Sequence, residues 1–233
     1  NRPLGAIKYL VLDARYEKIR QGGCVVDCAV LIAIGIDPTG HRSVLGVSVS
    51  LSEAEVHWRE FFKSLLARGL HGVELISSDA HAGMAEARKA CFAGVPWQRC
   101  QFHLQKNALA HAPTEAIKRE VTEDLKGVFD AADGHRAEAE LKRVVKKYEP
   151  SAPKLAAWIE QNVPEGLTVF RLPSSHRRRL RTSNLVERLN RELKRRTRVA
   201  TLFPNEASLL RLVTALLMEQ SEEWETGKKY VTF

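Results

Sequence analysis

Cysteine is scarce: four in 233 residues, at positions 24, 28, 91 and 100. Four scattered thiols make no disulfide framework for a chain of this size, and a reducing cytosol is the compartment they imply. No run approaches the roughly 18 apolar residues of a membrane span and no signal peptide is visible, so neither a membrane partner nor secretion is expected. Internal repeats and low-complexity linkers are also missing. The chain opens on Asn1 rather than methionine, which implies a segment upstream. With 44% hydrophobic residues, the length suits one large domain or a domain carrying an insertion.

Acids are scarce in one place only. Between Arg171 and Arg198 eleven Lys/Arg meet two acids, Glu187 and Glu192, so this segment carries +9 and the rest of the chain −1. Such a block is the footprint of a phosphate-backbone partner, with a solvated helix face as the alternative. The candidate contacts to double-stranded DNA are Arg177, Arg178, Arg179, Arg181, Arg188, Arg191, Lys194, Arg195, Arg196 and Arg198.

Hydrophobic patterning orders the rest. GAIKYLVLDA (5–14) reads as a buried strand ending in an acid. CVVDCAVLIAIGI (24–36) and HRSVLGVSVS (41–50) form a hairpin across the type I turn DPTG. Ser52 and Glu55 have the spacing of a capping box, followed by Trp58, Phe61, Phe62, Leu65 and Leu66 at helical intervals. VELISSD (73–79) is a strand ending in Asp, 82–94 a helix, and VPWQRCQFH (95–103) a strand or strand-like segment. Residues 104–167 read as a helical insertion that splits a core of 1–103 and 168–233. TVFRL (168–172) is expected to be a short returning strand. Two helices close the chain, around 185–196 and from Asn205 to about Glu225. The order implies an α/β fold: a mixed five-stranded sheet, a meander followed by right-handed crossovers, with flanking helices. Its first and fourth strands can lie side by side, with Asp13 and Asp79 at neighbouring ends. That is the ribonuclease-H-like arrangement.

Glu187 is the odd residue in the basic segment. On a helical wheel Asn184, Asn190, Arg191, Lys194 and Arg198 share its face, while Leu185, Leu189 and Leu193 lie opposite and Glu192 nearer the leucines. Two strand-end aspartates and a helix glutamate form a three-carboxylate cluster, unfavourable until cations neutralise it. Two Mg²⁺ ions, with Mn²⁺ as substitute, suit these oxygen donors and the cleavage of phosphodiesters. Taken singly, a strand-end Asp is more often a turn residue.

YLVLDA (9–14), VLGVSVS (44–50), SDAHAG (78–83), WQRCQFH (97–103), TSNLVERLNRELKRR (182–196) and LFPNEASL (202–209) together resemble, in order, the catalytic domain of the Mutator-type family of bacterial insertion-sequence transposases, a branch of the DDE enzymes. The resemblance runs over nearly the whole chain, with the N-x-x-E-R-x-N block and its downstream FPN the most specific part. It implies Asp13, Asp79 and Glu187 as catalytic and metal-binding carboxylates. It also implies DNA cleavage at transposon ends with strand transfer to target DNA, a homodimer on DNA, and a cytoplasmic, nucleoid-associated setting. Cys100 and His103 match its C-x-x-H signature. As zinc ligands they are half a site, needing His81 or Cys91 as well. The preferred reading has them support the active site, and a packed core pair is the alternative. His81, Asn184 and Asn190 are the other supporting candidates. The family's amino-terminal DNA-binding region has no counterpart here. A nuclease or resolvase without strand transfer, and a non-catalytic DNA-binding module, stay open beside this reading.

Overall fold

The structure is a computed structural model that describes residues 2–198 and 202–233. Its backbone is a five-stranded mixed sheet in the order β3-β2-β1-β4-β5, formed by β1 (Tyr9–Gln21), β2 (Cys24–Ile36), β3 (Arg42–Ser50), β4 (Leu75–Ser78) and β5 (Trp97–Arg99). The expected sheet, flanked by helices, is present.

β1 and β2 pair antiparallel along their whole length, from Tyr9↔Ile36 to Gln21↔Cys24. Gly22 and Gly23 close the hairpin with φ of 55° and 83°. A type I′ turn needs positive φ at both central residues, which Gly supplies without strain. The expected first strand, 5–14, is therefore too short, because RYEKIRQ (15–21) continues it. The central strand β2 is buried from Cys28 to Ile36, and a strand covered on both faces reads as an unbroken apolar run. The DPTG turn forms as expected, with Gly40 N–H donating to the Asp37 carbonyl at 3.0 Å.

Contacts divide the chain into two units, residues 1–96 with 183–233, and residues 97–182. The first unit holds β1–β4 with α1 (Glu55–Ala67), α2 (Ala82–Cys91), α8 (Asn184–Thr197) and α9 (Glu206–Thr226). α1 buries Trp58, Phe61, Phe62 and Leu65 of the expected stripe, while Leu66 is exposed. The expected capping box does not form. The helix starts at Glu55 with Ala54 as N-cap, and Glu55 pairs with Arg59 one turn on. Asn205 caps α9 through a 2.9 Å bond from Ser208 N–H. Just before it, Phe203 bridges to Ile19 on β1.

The second unit holds β5 and is otherwise mainly helical: α3 (Gln101–Leu109), α4 (Glu115–Phe129), α5 (Gly134–Tyr148), α6 (Pro153–Asn162) and α7 (Ser174–Leu180). Its core gathers Leu104, Val121, Leu125, Val128, Val144, Leu155 and Ile159. The unit is wider than the expected insertion of 104–167. Two expectations are overturned here. TVFRL is not a strand, since Thr168–Arg171 is a turn of 3₁₀ helix. The strand in 95–103 stops at Arg99, with Cys100 as N-cap of α3.

Candidate active site

The parallel β1–β4 register runs Tyr9↔Leu75, Leu10↔Ile76, Val11↔Ser77. Continued two residues, it sets Asp13 beside Asp79. β4 ends at Ser78 while β1 runs on, so Asp13 is not a strand-end residue but sits where β1 loses its parallel partner. Asp13 is buried, 7% exposed, and Asp79 is half-buried.

α8 packs against this part of β1. It buries Leu185, Val186, Leu189, Leu193 and Thr197, so the leucines form its inner face. The side-chain amide of Asn190 donates to Asp13 Oδ2 at 2.6 Å. The Asn190 backbone carbonyl accepts from Arg15 Nη1, also at 2.6 Å, and Thr197 Oγ1 donates to Glu17 at 3.0 Å. Asp13, Arg15 and Glu17 alternate along one face of β1, which is the face α8 covers. Asn190 Oδ1 is buried with no hydrogen-bond partner among the described residues.

Glu187 lies half-buried in the first turn of α8, one turn before Asn190. The helix dipole there favours an anion. Ser183, fully buried at the N-cap, makes no side-chain cap and donates instead to Glu187 Oε1 at 3.3 Å. Asn184 is exposed. Among the described residues, the oxygens of Asp13, Asp79 and Glu187 do not all lie within 4.8 Å of one another. Glu192 lies toward α9, where Arg195 and Arg196 hold its carboxyl down at about 2.

Sequence reasoning missed Glu53. Only 8% exposed, it lies between β3 and α1, hydrogen-bonded to Tyr16, with the His81 ring 3.7 Å away. His81 caps α2, its ring partly exposed and its backbone N–H 3.4 Å from Asp79 Oδ1. Burial pushes the Glu53 carboxyl above its ordinary range; His81 opposes that and the charge of Asp79 adds to it. Gly83 sets the approach. A Cβ there would overlap the Glu53 carbonyl oxygen and come within 2.8 Å of Glu55 N. No local pattern marks Glu53, since its place depends on α2 packing against the 53–55 backbone.

In the other unit, buried Cys100 and half-buried His103 put Sγ and a ring nitrogen within 4.8 Å of each other. The arginines there divide. Arg177 donates to the Leu172 and Ala132 carbonyls at 3.0 and 2.8 Å, and Arg181 reaches Asp130 at 2.5 Å, so both hold structure together. Arg178 and Arg179 are exposed. On α8, Arg195 and Arg196 are tied to Glu192, and Arg196 also to Glu219. Arg188, Arg191, Lys194 and Arg198 are exposed. No helix among the described residues is long and apolar enough to cross a membrane.

The chain is 56% identical to the transposase for insertion sequence element IS406 of Burkholderia multivorans, over all of this chain and 60% of that protein. It is 42% identical to the ISRM5 transposase of Rhizobium meliloti, over 96% of this chain and 56% of that protein. The IS256 transposase in transposon Tn4001 of Staphylococcus aureus is 36% identical over 97% of this chain and 58% of its own length. The chain thus spans about 60% of the relatives it matches. Among solved structures, a simian T-cell lymphotropic virus intasome bound to PP2A regulatory subunit B56 gamma aligns at TM-score 0.30 and 14% identity, over 68% of this chain and 49% of that one, too slight to assign a fold. Asp13, Asp79 and Glu187 all fall within residues 1–227, the span matched by the Mutator-family transposase profile, and the chain belongs to that family.

Proposed function

We propose that this chain is the catalytic core of a DDE transposase, which nicks DNA at transposon ends and joins the freed 3′-hydroxyl to target DNA. The observation that carries the reading is the Asn190–Asp13 hydrogen bond. It fixes the helix of Glu187 onto the strand of Asp13, at the point where the β1 register leads to Asp79. We read the sheet order, antiparallel on one side of β1 and parallel on the other, as ribonuclease-H-like.

The donors fit hard divalent cations: three carboxylates and, at Asn190 Oδ1, a buried carbonyl oxygen without a partner among the described residues. Asp13, Asp79 and Glu187 would hold two Mg²⁺, or Mn²⁺ in their place. Those ions would supply activation of the attacking hydroxyl and stabilisation of the leaving oxygen. Around them, Asn190 orients the Asp13 carboxylate and Ser183 that of Glu187. His81 turns Asp79 through its backbone N–H. The exposed cations of α8 meet phosphates. Cys100 and His103 support the reaction on the strength of the resemblance alone, and the active form is a homodimer on DNA.

A labelled duplex carrying the transposon end tests the whole reading. With Mg²⁺ it should yield nicked ends and strand-transfer product, and a chelator should abolish both. Nicking without transfer would instead identify a nuclease or resolvase, and binding alone a non-catalytic module.

A further inference from the structure

Past its last β4 pair at Val11, and short of the Phe203 bridge at Ile19, the edge of β1 pairs with no described strand. An open groove of about 470 Å³ lies there, walled by Arg15 and Tyr16 on β1 and by Arg191, Lys194 and Arg198 on α8. Its charge is one-sided. Arg15 and Glu17 are shielded and paired with each other, so they cancel. The side chains of Arg191, Lys194 and Arg198 are exposed and make no ion pair or hydrogen bond among the described residues. The neighbouring Arg195 and Arg196 point their charge into Glu192 and Glu219 instead.

The three free cations continue the helical stripe of Glu187, at intervals of four, three and four residues. From Arg191 to Arg198 the helix rises about 10 Å, the rise of about three nucleotides along one strand.

We propose that this groove seats the phosphodiester backbone of one DNA strand, about three consecutive phosphates leading away from the end of α8 that carries Glu187. The proposal rests on the DNA-processing reading above and adds the path of the strand. Phosphates closest to Glu187 belong to the reacting end, and those on Arg191, Lys194 and Arg198 follow in order. Arg195 and Arg196, although part of the same basic run, take no share.

The test is the salt dependence of binding to a short labelled duplex, with the 233-residue chain and no divalent ion present. Arg191→Gln, Lys194→Gln and Arg198→Gln are each expected to lower the slope of log K against log salt by about one, and the triple variant by about three. The Arg195→Gln/Arg196→Gln pair should leave the slope near wild type. Melting temperatures should coincide, because the replaced side chains are exposed, and the single variants carry the result if the triple melts early. An unchanged slope in the triple variant overturns the groove, as does an equal loss in the Arg195/Arg196 pair. Nicking assayed on the same preparations with Mg²⁺ separates the two readings. Wild type that binds with the expected slope pattern but never cleaves sinks the catalytic reading and leaves the groove. Cleavage with slopes unmoved does the reverse.

Discussion

Asn190 and Asp13, 177 residues apart in sequence, are joined by a 2.6 Å hydrogen bond from the amide of one to the carboxylate of the other. A buried acid is thereby given a fixed orientation. Asn190→Ala should lower DNA cleavage about 10- to 100-fold, the usual effect of losing a group that orients a ligand. The fold should lose about 1–3 kcal/mol, read from denaturant unfolding. Cleavage at the wild-type rate would remove Asn190 from the machinery.

Glu187 and Glu192 lie on the same helix with different partners, the Ser183 hydroxyl for one and the Arg195 and Arg196 guanidinium groups for the other. Glu187→Gln removes a carboxylate from the face of Asn190 and should cut catalysis by orders of magnitude, while DNA binding persists or tightens as one repulsion disappears. Glu192 is already neutralised by Arg195 and Arg196, and exposed pairs of this kind contribute little. Glu192→Gln should therefore cleave normally. The reverse pattern on one labelled duplex would move the third carboxylate to Glu192.

Burial holds the Glu53 proton more tightly in the fold than in the unfolded chain. The stability linked to that proton is complete below the unfolded pKa and is lost as pH rises through the folded one. Glu53→Gln, neutral at every pH, should melt with wild type in acid and above it at neutral pH. Melting curves taken across that range that stay parallel would show that Glu53 titrates normally.

Gly83 faces backbone rather than a yielding side chain. Gly83→Ala should destabilise by at least about 1–3 kcal/mol, the ordinary cost of overpacking, and should lower cleavage as well by displacing His81 and Asp79. A calorimetric scan identical to wild type would mean that the 53–55 backbone moves freely.

Strongly patterned elements were legible from the sequence. β2 runs from Cys24 to Ile36, the stretch its apolar run marks, and α1 buries the aromatic stripe expected of it. The second half of β1 was not legible, because Arg15, Glu17, Lys18 and Arg20 mask a strand whose side chains meet a helix and solvent rather than a core. TVFRL misled for the opposite reason: β-prone residues fold into a 3₁₀ turn in which Val169 is buried. For the candidate site, element order was enough to expect β1 beside β4. Periodicity was enough to oppose Glu187 to the leucines. The Asn190–Asp13 bond and the place of Glu53 depend on packing between distant segments, and no spacing along the chain encodes either.

The thirteen-residue strand β1 carries both Asp13 and the wall of the cation groove, and every one of its residues pairs with β2. Asp13 and Glu17 are thus about 13 Å apart on a braced ruler, at roughly 3.3 Å per residue. Insertion of a single residue would turn every later side chain to the opposite face. The span from Asp13 to the groove wall can accordingly lengthen or shorten only two residues at a time, so variation in this measure should be quantised across relatives rather than drift.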